Sequence, residues 1–299
     1  MTSLGTTFTP RHAAWLGLDP LASFKDCLEW PIEYIRVGAY WDEIEPKKGQ
    51  YNFAQLLPYL TSAEKSSKKI ILVVGAKAPR WPEFYLPSDV TGTLETEENQ
   101  QRLLDLISAV VTECGNFSCI SHWQCENEPL DPSGPDELTI SLEFLKREIE
   151  MIRSLDNRPI ITTVWGNDLT NRGHYRTLEP LADIIGIDLY YQQFTARLLG
   201  RNYYRSPADS DETIKDCIST LSKPVWITEL QAEPWEKDED GYRSPQPKSI
   251  SPELLKAYCQ RAAKLGAGVV LLWGAEYWLW RNAQHDNSYL TILQELADG

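Results

Sequence analysis

Eight short runs of β-branched and other apolar residues recur along the chain, with longer helix-period segments between them. This alternation narrows the possible folds more than any other feature. The runs are read at His12–Leu18, Glu33–Gly38, Lys69–Gly75, Cys119–Cys125, Pro159–Val164, Asp183–Leu189, Pro224–Thr228 and Gly268–Trp273. Between them lie amphipathic stretches such as Asn99–Cys114, Asp136–Leu155, Ser210–Leu221 and Ser251–Leu265, each long enough for three or more helical turns. Ser251-Pro252 reads as a helix start, with serine as cap and proline at the first position. Near-continuous apolar strands suit a parallel sheet, whose outer face is covered by helices. Eight such units in 299 residues, with no GxGxxG after the first strand, predict an α/β chain folded as a closed (β/α)8 TIM barrel. No linker rich in Gly or Ser interrupts the pattern, so residues 1–299 are expected to form a single domain.

Charge restricts the partners. Twenty-nine Lys and Arg stand against 43 Asp and Glu, a formal net charge of −14 that would repel phosphate backbones and anionic lipid headgroups. Nucleic acid and membrane surfaces are therefore excluded as partners, and no apolar run is long enough to span a bilayer. The first residues lack the basic and apolar regions of a signal peptide, so the chain as written is expected to be cytoplasmic, or secreted if a leader has been removed. Cysteines at 27, 114, 119, 125, 217 and 259 form no CxxC pair and are read as mostly buried free thiols. His12, His122, His174 and His285 form no HxH or HExxH pair, so neither a metal nor another cofactor is expected. No feature sets the oligomeric state.

In a barrel of this kind, functional groups collect at the C-terminal ends of the strands. The loops at 76–96, 190–207 and 230–250 are long and carry Trp81, Phe84, Tyr85, Tyr190, Tyr191, Phe194, Trp235 and Tyr242, whose rings suit either sugar faces or the anchoring of loops to the barrel. Strand four ends His122-Trp-Gln-Cys-Glu-Asn127-Glu128-Pro129 and strand seven ends Val225-Trp-Ile-Thr-Glu229-Leu230. Two carboxylates at strand ends, Glu128 and Glu229, suit acid–base or covalent cleavage of a glycosidic bond. Glu126, Glu233 and Glu276 are read as solvated loop charges.

With these residues in view, the sequence resembles the clan A glycoside hydrolases, whose pattern is Asn-Glu-Pro at the end of strand four and a glutamate ending strand seven. Asn127-Glu128-Pro129 and Glu229 match it. The segment from Arg36 through Trp41, Glu45-Pro46, Gly49 and Tyr51 to Phe53 looks like the one after strand two in β-galactosidase-like members. Asp183-Ile-Ile-Gly-Ile-Asp188-Leu-Tyr190 is similar to the strand-six motif of β-glucosidase-like members, with Asp188 in place of an asparagine. Lys77 stands after strand three, where several families of the clan carry a histidine, so substrate contacts on that side are expected to differ. The resemblance implies a retaining hydrolase of β-linked sugars, with Glu128 as acid and base and Glu229 as nucleophile. It also implies that Arg36 and Tyr190 support Glu229, that Asn127 bonds the sugar 2-hydroxyl, and that Trp273, with Trp41 and Trp235, contributes to substrate binding. A transglycosidase using the same carboxylates and a non-catalytic carbohydrate-binding barrel are the alternatives. Sugar, linkage and endo or exo action stay open.

Overall fold

The structure is a computed structural model, and it describes residues 2–91, 93–167 and 169–298. The barrel strands are β1 (Ser3–Thr7), β2 (Tyr34–Gly38), β3 (Lys69–Val74), β4 (Ile120–Cys125), β5 (Ile160–Trp165) and β6 (Ile184–Leu189). A two-stranded hairpin of β7 (Gln193–Leu198) and β8 (Arg201–Arg205) follows, and β9 (Val225–Gln231) and β10 (Val269–Trp273) complete the barrel as its seventh and eighth strands. The eight close in the order β1-β10-β9-β6-β5-β4-β3-β2, with helices between strands, which makes this a (β/α)8 barrel.

Seven of the expected strands stand where the apolar runs lie, but the first does not. The His12 run is part of a helix, Pro10–Trp15, and the first strand is the less apolar Ser3–Thr7. Proline at the first helical position removes only an N–H that would lack an intrahelical partner anyway, so Thr9-Pro10 starts a helix where apolar content suggested a strand. The helix expected from Asp136 begins at Leu142, because Ser133 and Leu138 exchange two backbone hydrogen bonds, 3.1 and 2.9 Å, that hold the preceding residues in a turn. The β7–β8 hairpin occupies what was read as a loop at 190–207.

The chain divides into two compact units. In the first (residues 1–34, 165–173 and 187–299), β1 pairs with β10 through Leu4↔Val270 and Gly5↔Leu271, and β10 pairs with β9. Every residue of β9 and β10 is buried, as expected of strands covered on both faces. In the second (35–164 and 174–186), β3 and β4 run in register through Leu72↔Trp123, Val73↔Gln124 and Val74↔Cys125. Their ends therefore stop level, which places residues 75–77 beside residues 126–128. The helix Leu142–Leu155 buries Phe144, Leu145, Ile149 and Ile152 on one stripe. All six cysteines are buried and free. No helix among the described residues is long and apolar enough to cross a membrane.

Helix starts follow the sequence signals. Ser251 Oγ accepts from Leu254 N at 3.2 Å and Pro252 takes the first position. Ser251→Ala is expected to lower stability by about 1 kcal/mol, read as a shift of the urea midpoint with unchanged slope.

Candidate active site

The second unit holds Arg36, Asn127 and Glu128. Arg36 is fully buried on β2, and its Nη1 donates to Gln124 Oε1 at 3.1 Å and Asn127 Oδ1 at 3.3 Å. A guanidinium has donors only, so these contacts fix which amide atom each side chain presents. Gln124 Nε2 then donates to Asn127 Oδ1 at 3.1 Å and to the Glu126 carbonyl at 3.0 Å. The oxygen of Asn127 is thereby committed inward, and its NH2 group is left to donate elsewhere.

Two left-handed residues, Glu126 (φ 59°) and Glu128 (φ 44°), flank Asn127. Non-glycine residues there cost about 1–3 kcal/mol each and persist where surrounding bonds over-determine them. Those bonds are present. Glu128 N donates to Thr163 Oγ1 at 2.7 Å, Asn127 N to the Lys77 carbonyl at 2.8 Å, and Lys77 Nζ to the carbonyls of Glu128 and Asp131 at 2.8 and 2.9 Å. Lys77 is fully buried, with Glu83 3.4 Å away. Sequence reading expected substrate contacts to differ on the side of Lys77; the structure sets Lys77 beneath the loop as its tether, its ammonium satisfying carbonyls that no strand partner takes.

Glu126 was read as a solvated charge, and this is corrected: it is fully buried. Its oxygens accept from Ala76 N at 2.8 Å and Lys77 N at 2.5 Å, joining the ends of β3 and β4. Gly75 (φ 128°) makes room for it, since a Cβ there would lie 2.2 Å from the carboxyl carbon. Behind it lies Glu148, also fully buried, and among the described residues no N–H or hydroxyl reaches either of its oxygens. Burial raises both carboxyls, and the charge of Glu126 raises Glu148 further, well above the ordinary range. Glu148, which has no donor of its own, faces the carboxyl of Glu126, and burial beside that charge favours its protonated form.

In the first unit, Glu229 lies in β9 with 4% exposure, and the Tyr190 hydroxyl donates to its Oε2. Tyr190 follows β6, and the Tyr190 ring meets Trp235 edge to face at 4.6 Å. Asp188 lies two residues earlier on the same face, where Oδ1 accepts from Thr228 Oγ1 at 2.6 Å. Gln231 was not singled out in the sequence, yet it ends β9 by accepting from Tyr191 N and Gln192 N at 2.9 and 2.8 Å and returning a bond to the Gln192 carbonyl at 2.7 Å. Trp273 ends β10 almost wholly buried, and Trp235 is half-buried.

Trp41 does not serve a sugar. It has no exposed surface, and its Nε1 donates to Glu45 Oε2 at 2.7 Å. Glu45, itself buried, also accepts from Gly49 N at 2.6 Å and Arg102 Nε at 3.0 Å. The Trp41–Glu45–Gly49 pattern is thus an internal staple of the loop after β2.

Glu233 and Glu276 are likewise buried rather than solvated. Tyr242 Oη donates to Glu233 at 2.9 Å and lies 2.8 Å from His12 Nε2, while Thr9 N donates to Glu276. His12, Glu233 and Glu276 bring possible ligand atoms within 4.8 Å of one another, a grouping that histidine spacing alone does not reveal. The Tyr242 hydroxyl already bridges two of the three.

No protein-family model matches the sequence, and no curated protein matches it. Solved structures do. A GH5_18 protein of Bifidobacterium longum subsp. longum superposes with a TM-score of 0.68 at 15% identity, covering 99% of this chain and 79% of its own. The fold is shared with glycoside hydrolases. Xylanase 10B of Thermotoga maritima matches with a TM-score of 0.66 at 14% identity over 99% of this chain and 96% of its own. The β-galactosidase of the psychrophilic Marinomonas ef1 matches with 0.61 at 15% identity over 91% and 54%. A GH5_18 protein of Bifidobacterium longum has also been solved in complex with Manβ1-4GlcNAc.

The buried acid pair has a pH signature. A carboxyl raised on folding stabilises fully below its unfolded pKa, about 4.3, and that contribution is lost as pH rises, because the unfolded chain then releases the proton that the folded chain keeps. Glu148→Gln keeps the shape without the titration. Its stability relative to wild type is expected to rise between pH 5 and pH 8, by at most about 1.4 kcal/mol per pH unit, as measured by urea unfolding across that range. A difference independent of pH would show that the pair does not hold a proton.

Proposed function

We propose that this chain is a retaining glycoside hydrolase that cleaves β-linked glycosidic bonds of an oligo- or polysaccharide, with residues 1–299 acting as one catalytic domain. The observation that carries the reading is the hydroxyl of Tyr190 donated to a buried glutamate, Glu229, in the seventh barrel strand. A donated O–H favours the ionised carboxylate that a nucleophile must be. The second support is the fixed, kinked presentation of Glu128 after the fourth strand, with Asn127 locked beside it.

In this reading Glu128 protonates the glycosidic oxygen as Glu229 attacks the anomeric carbon, the leaving group departs with that proton, and a glycosyl-enzyme forms. Glu128, now a carboxylate, takes a proton from water as that water attacks the anomeric carbon and releases Glu229. Configuration is retained by the two inversions. The NH2 group of Asn127 donates to the sugar 2-hydroxyl, and Trp235 and Trp273 supply ring surface to the sugar. Arg36 acts through Asn127 and Gln124, whose orientation it sets. The glycoside hydrolases that share the fold support the class of reaction; sugar and linkage are left to a substrate panel.

Reducing-sugar release from a panel of β-glycans and aryl β-glycosides is the test. Folded Glu128→Gln and Glu229→Gln are each expected to lose about 10²–10⁴-fold in kcat, and more than a tenth of wild-type turnover in either would overturn the assignment. Tyr190→Phe is expected to lower kcat by roughly 10–100-fold, the equivalent of a hydrogen bond to a charged group, with the larger share in kcat rather than KM. A sugar complex is expected to show the carboxyl groups of Glu128 and Glu229 about 5–5.5 Å apart, whereas about 6.5–9.5 Å would mark an inverting enzyme.

A further inference from the structure

The β7–β8 hairpin frames a cleft of about 670 Å³ within the first unit, and its charge runs against that of the chain. Leu199 and Gly200 at its tip both have positive φ, 50° and 79°, as a tight two-residue hairpin turn requires. Arg197 and Asn202 are register partners and so share a face of the hairpin, and Tyr204 lies on that face two residues further along. Its base is fixed: Phe194 N donates to the Trp235 carbonyl at 3.0 Å, and the Tyr204 hydroxyl donates to Glu236.

Arg197, Arg201, Lys237 and Lys248 line the cleft, with Glu236 and Asp238 as its two anions. Both anions are already engaged. Besides Tyr204, Glu236 accepts from Lys248 N, Ser249 N and Ser249 Oγ at 2.7–2.8 Å, which ties off the segment ahead of the helix Pro252–Lys264. Asp238 accepts from Gly241 N at 3.0 Å and pairs with Lys237 at 3.6 Å. Among the described residues no carboxylate pairs with Arg197, Arg201 or the Lys248 ammonium. In a chain with a formal net charge of −14, three unpaired cations gathered around one cleft form a local positive field.

The cleft adjoins the groups that hold Glu229. Gln192, two residues after Tyr190, lines it, and Glu236 directly follows Trp235, whose ring packs on Tyr190. We infer that this cleft is a binding subsite for a carboxylate-bearing sugar residue, a uronate, of the glycan presented to Glu229. Arginine forks match a carboxylate in pairs of parallel hydrogen bonds, Lys248 adds a point charge, and Asn202 and the Tyr204 ring provide polar and flat surfaces for the sugar itself. The inference rests on the proposed function in taking the ligand to be a glycan, so it is tested by binding rather than turnover.

Calorimetric titration at low salt compares two tetrasaccharides, β-1,4-mannuronate and β-1,4-mannotetraose, which differ in carrying a carboxylate or a hydroxymethyl at C6. Wild type is expected to bind the mannuronate at least about 10-fold more tightly, with the preference shrinking at high salt as exposed charges are screened. The folded triple variant Arg197→Gln/Arg201→Gln/Lys248→Gln is expected to bring the ratio to about one. A control triple at exposed cations elsewhere, Lys25→Gln/Lys65→Gln/Lys215→Gln, makes the same change in net charge and is expected to keep the preference. Equal binding of the two sugars, binding of neither, a preference that survives the cleft triple, or one lost equally in the control triple would overturn the inference. Inorganic sulfate displacing mannuronate as effectively as a second mannuronate chain would reassign the cleft to a free anion and overturn it as well. Preference for mannuronate without any hydrolysis would leave this subsite standing while removing the catalytic reading.

Discussion

A parallel strand that stops must pass its last backbone N–H and C=O groups to something other than a neighbouring strand, and a buried group left without a partner costs about 1–3 kcal/mol. In this barrel, buried polar side chains meet that demand at the C-terminal strand ends. Glu126 takes the N–H groups of Ala76 and Lys77, Lys77 takes the carbonyls of Glu128 and Asp131, and Thr163 takes Glu128 N. Gln231 does the same after β6, where it takes Tyr191 N and Gln192 N. The candidate catalytic residues are presented by these terminations, so stability and function draw on the same bonds.

Burying so many charged groups requires that each find donors or neutralise. Glu45 does the first, with an indole N–H, a turn N–H and a guanidinium around one carboxylate. Glu148 is drawn toward the second, since desolvation and the charge of Glu126 raise it well above the ordinary carboxyl range. The contrast explains how a strongly acidic chain buries acidic residues: what lies around a carboxyl, rather than its residue type, decides its charge. It also separates the interior, where charges are matched group by group, from the hairpin cleft, where cations are left available.

Much of the architecture was legible along the chain because strand burial on both faces and helix amphipathicity leave local periodic marks. Seven strands and the capped helices after Thr96 and Ser251 stand close to where those marks lie. The first strand was missed because Ser3–Thr7 is short and weakly apolar, while the apolar run after it belongs to a helix begun by Pro10. The hairpin was missed because its exposed strands carry little burial pattern: Ala196, Leu198 and Tyr203 alternate with arginines and polar residues that all face solvent.

Sequence by itself determined the barrel class, through its alternating apolar and amphipathic runs, and set Asn127, Glu128, Tyr190 and Glu229 at strand ends; their roles came from the resemblance to clan A glycoside hydrolases. Tertiary structure alone decided which acidic residues are buried and what each does. Glu126 owes its burial to backbone donors about 50 residues away, just past the end of β3, and its proton balance to Glu148 on a helix. Lys77 became an internal fitting for the same reason, as the carbonyls it bonds belong to Glu128 and Asp131, and Trp41, bonded to nearby Glu45, is covered by Arg102 from the helix Glu97–Cys114. A charge's solvation is a property of the volume around it, and no local stretch of sequence contains that volume.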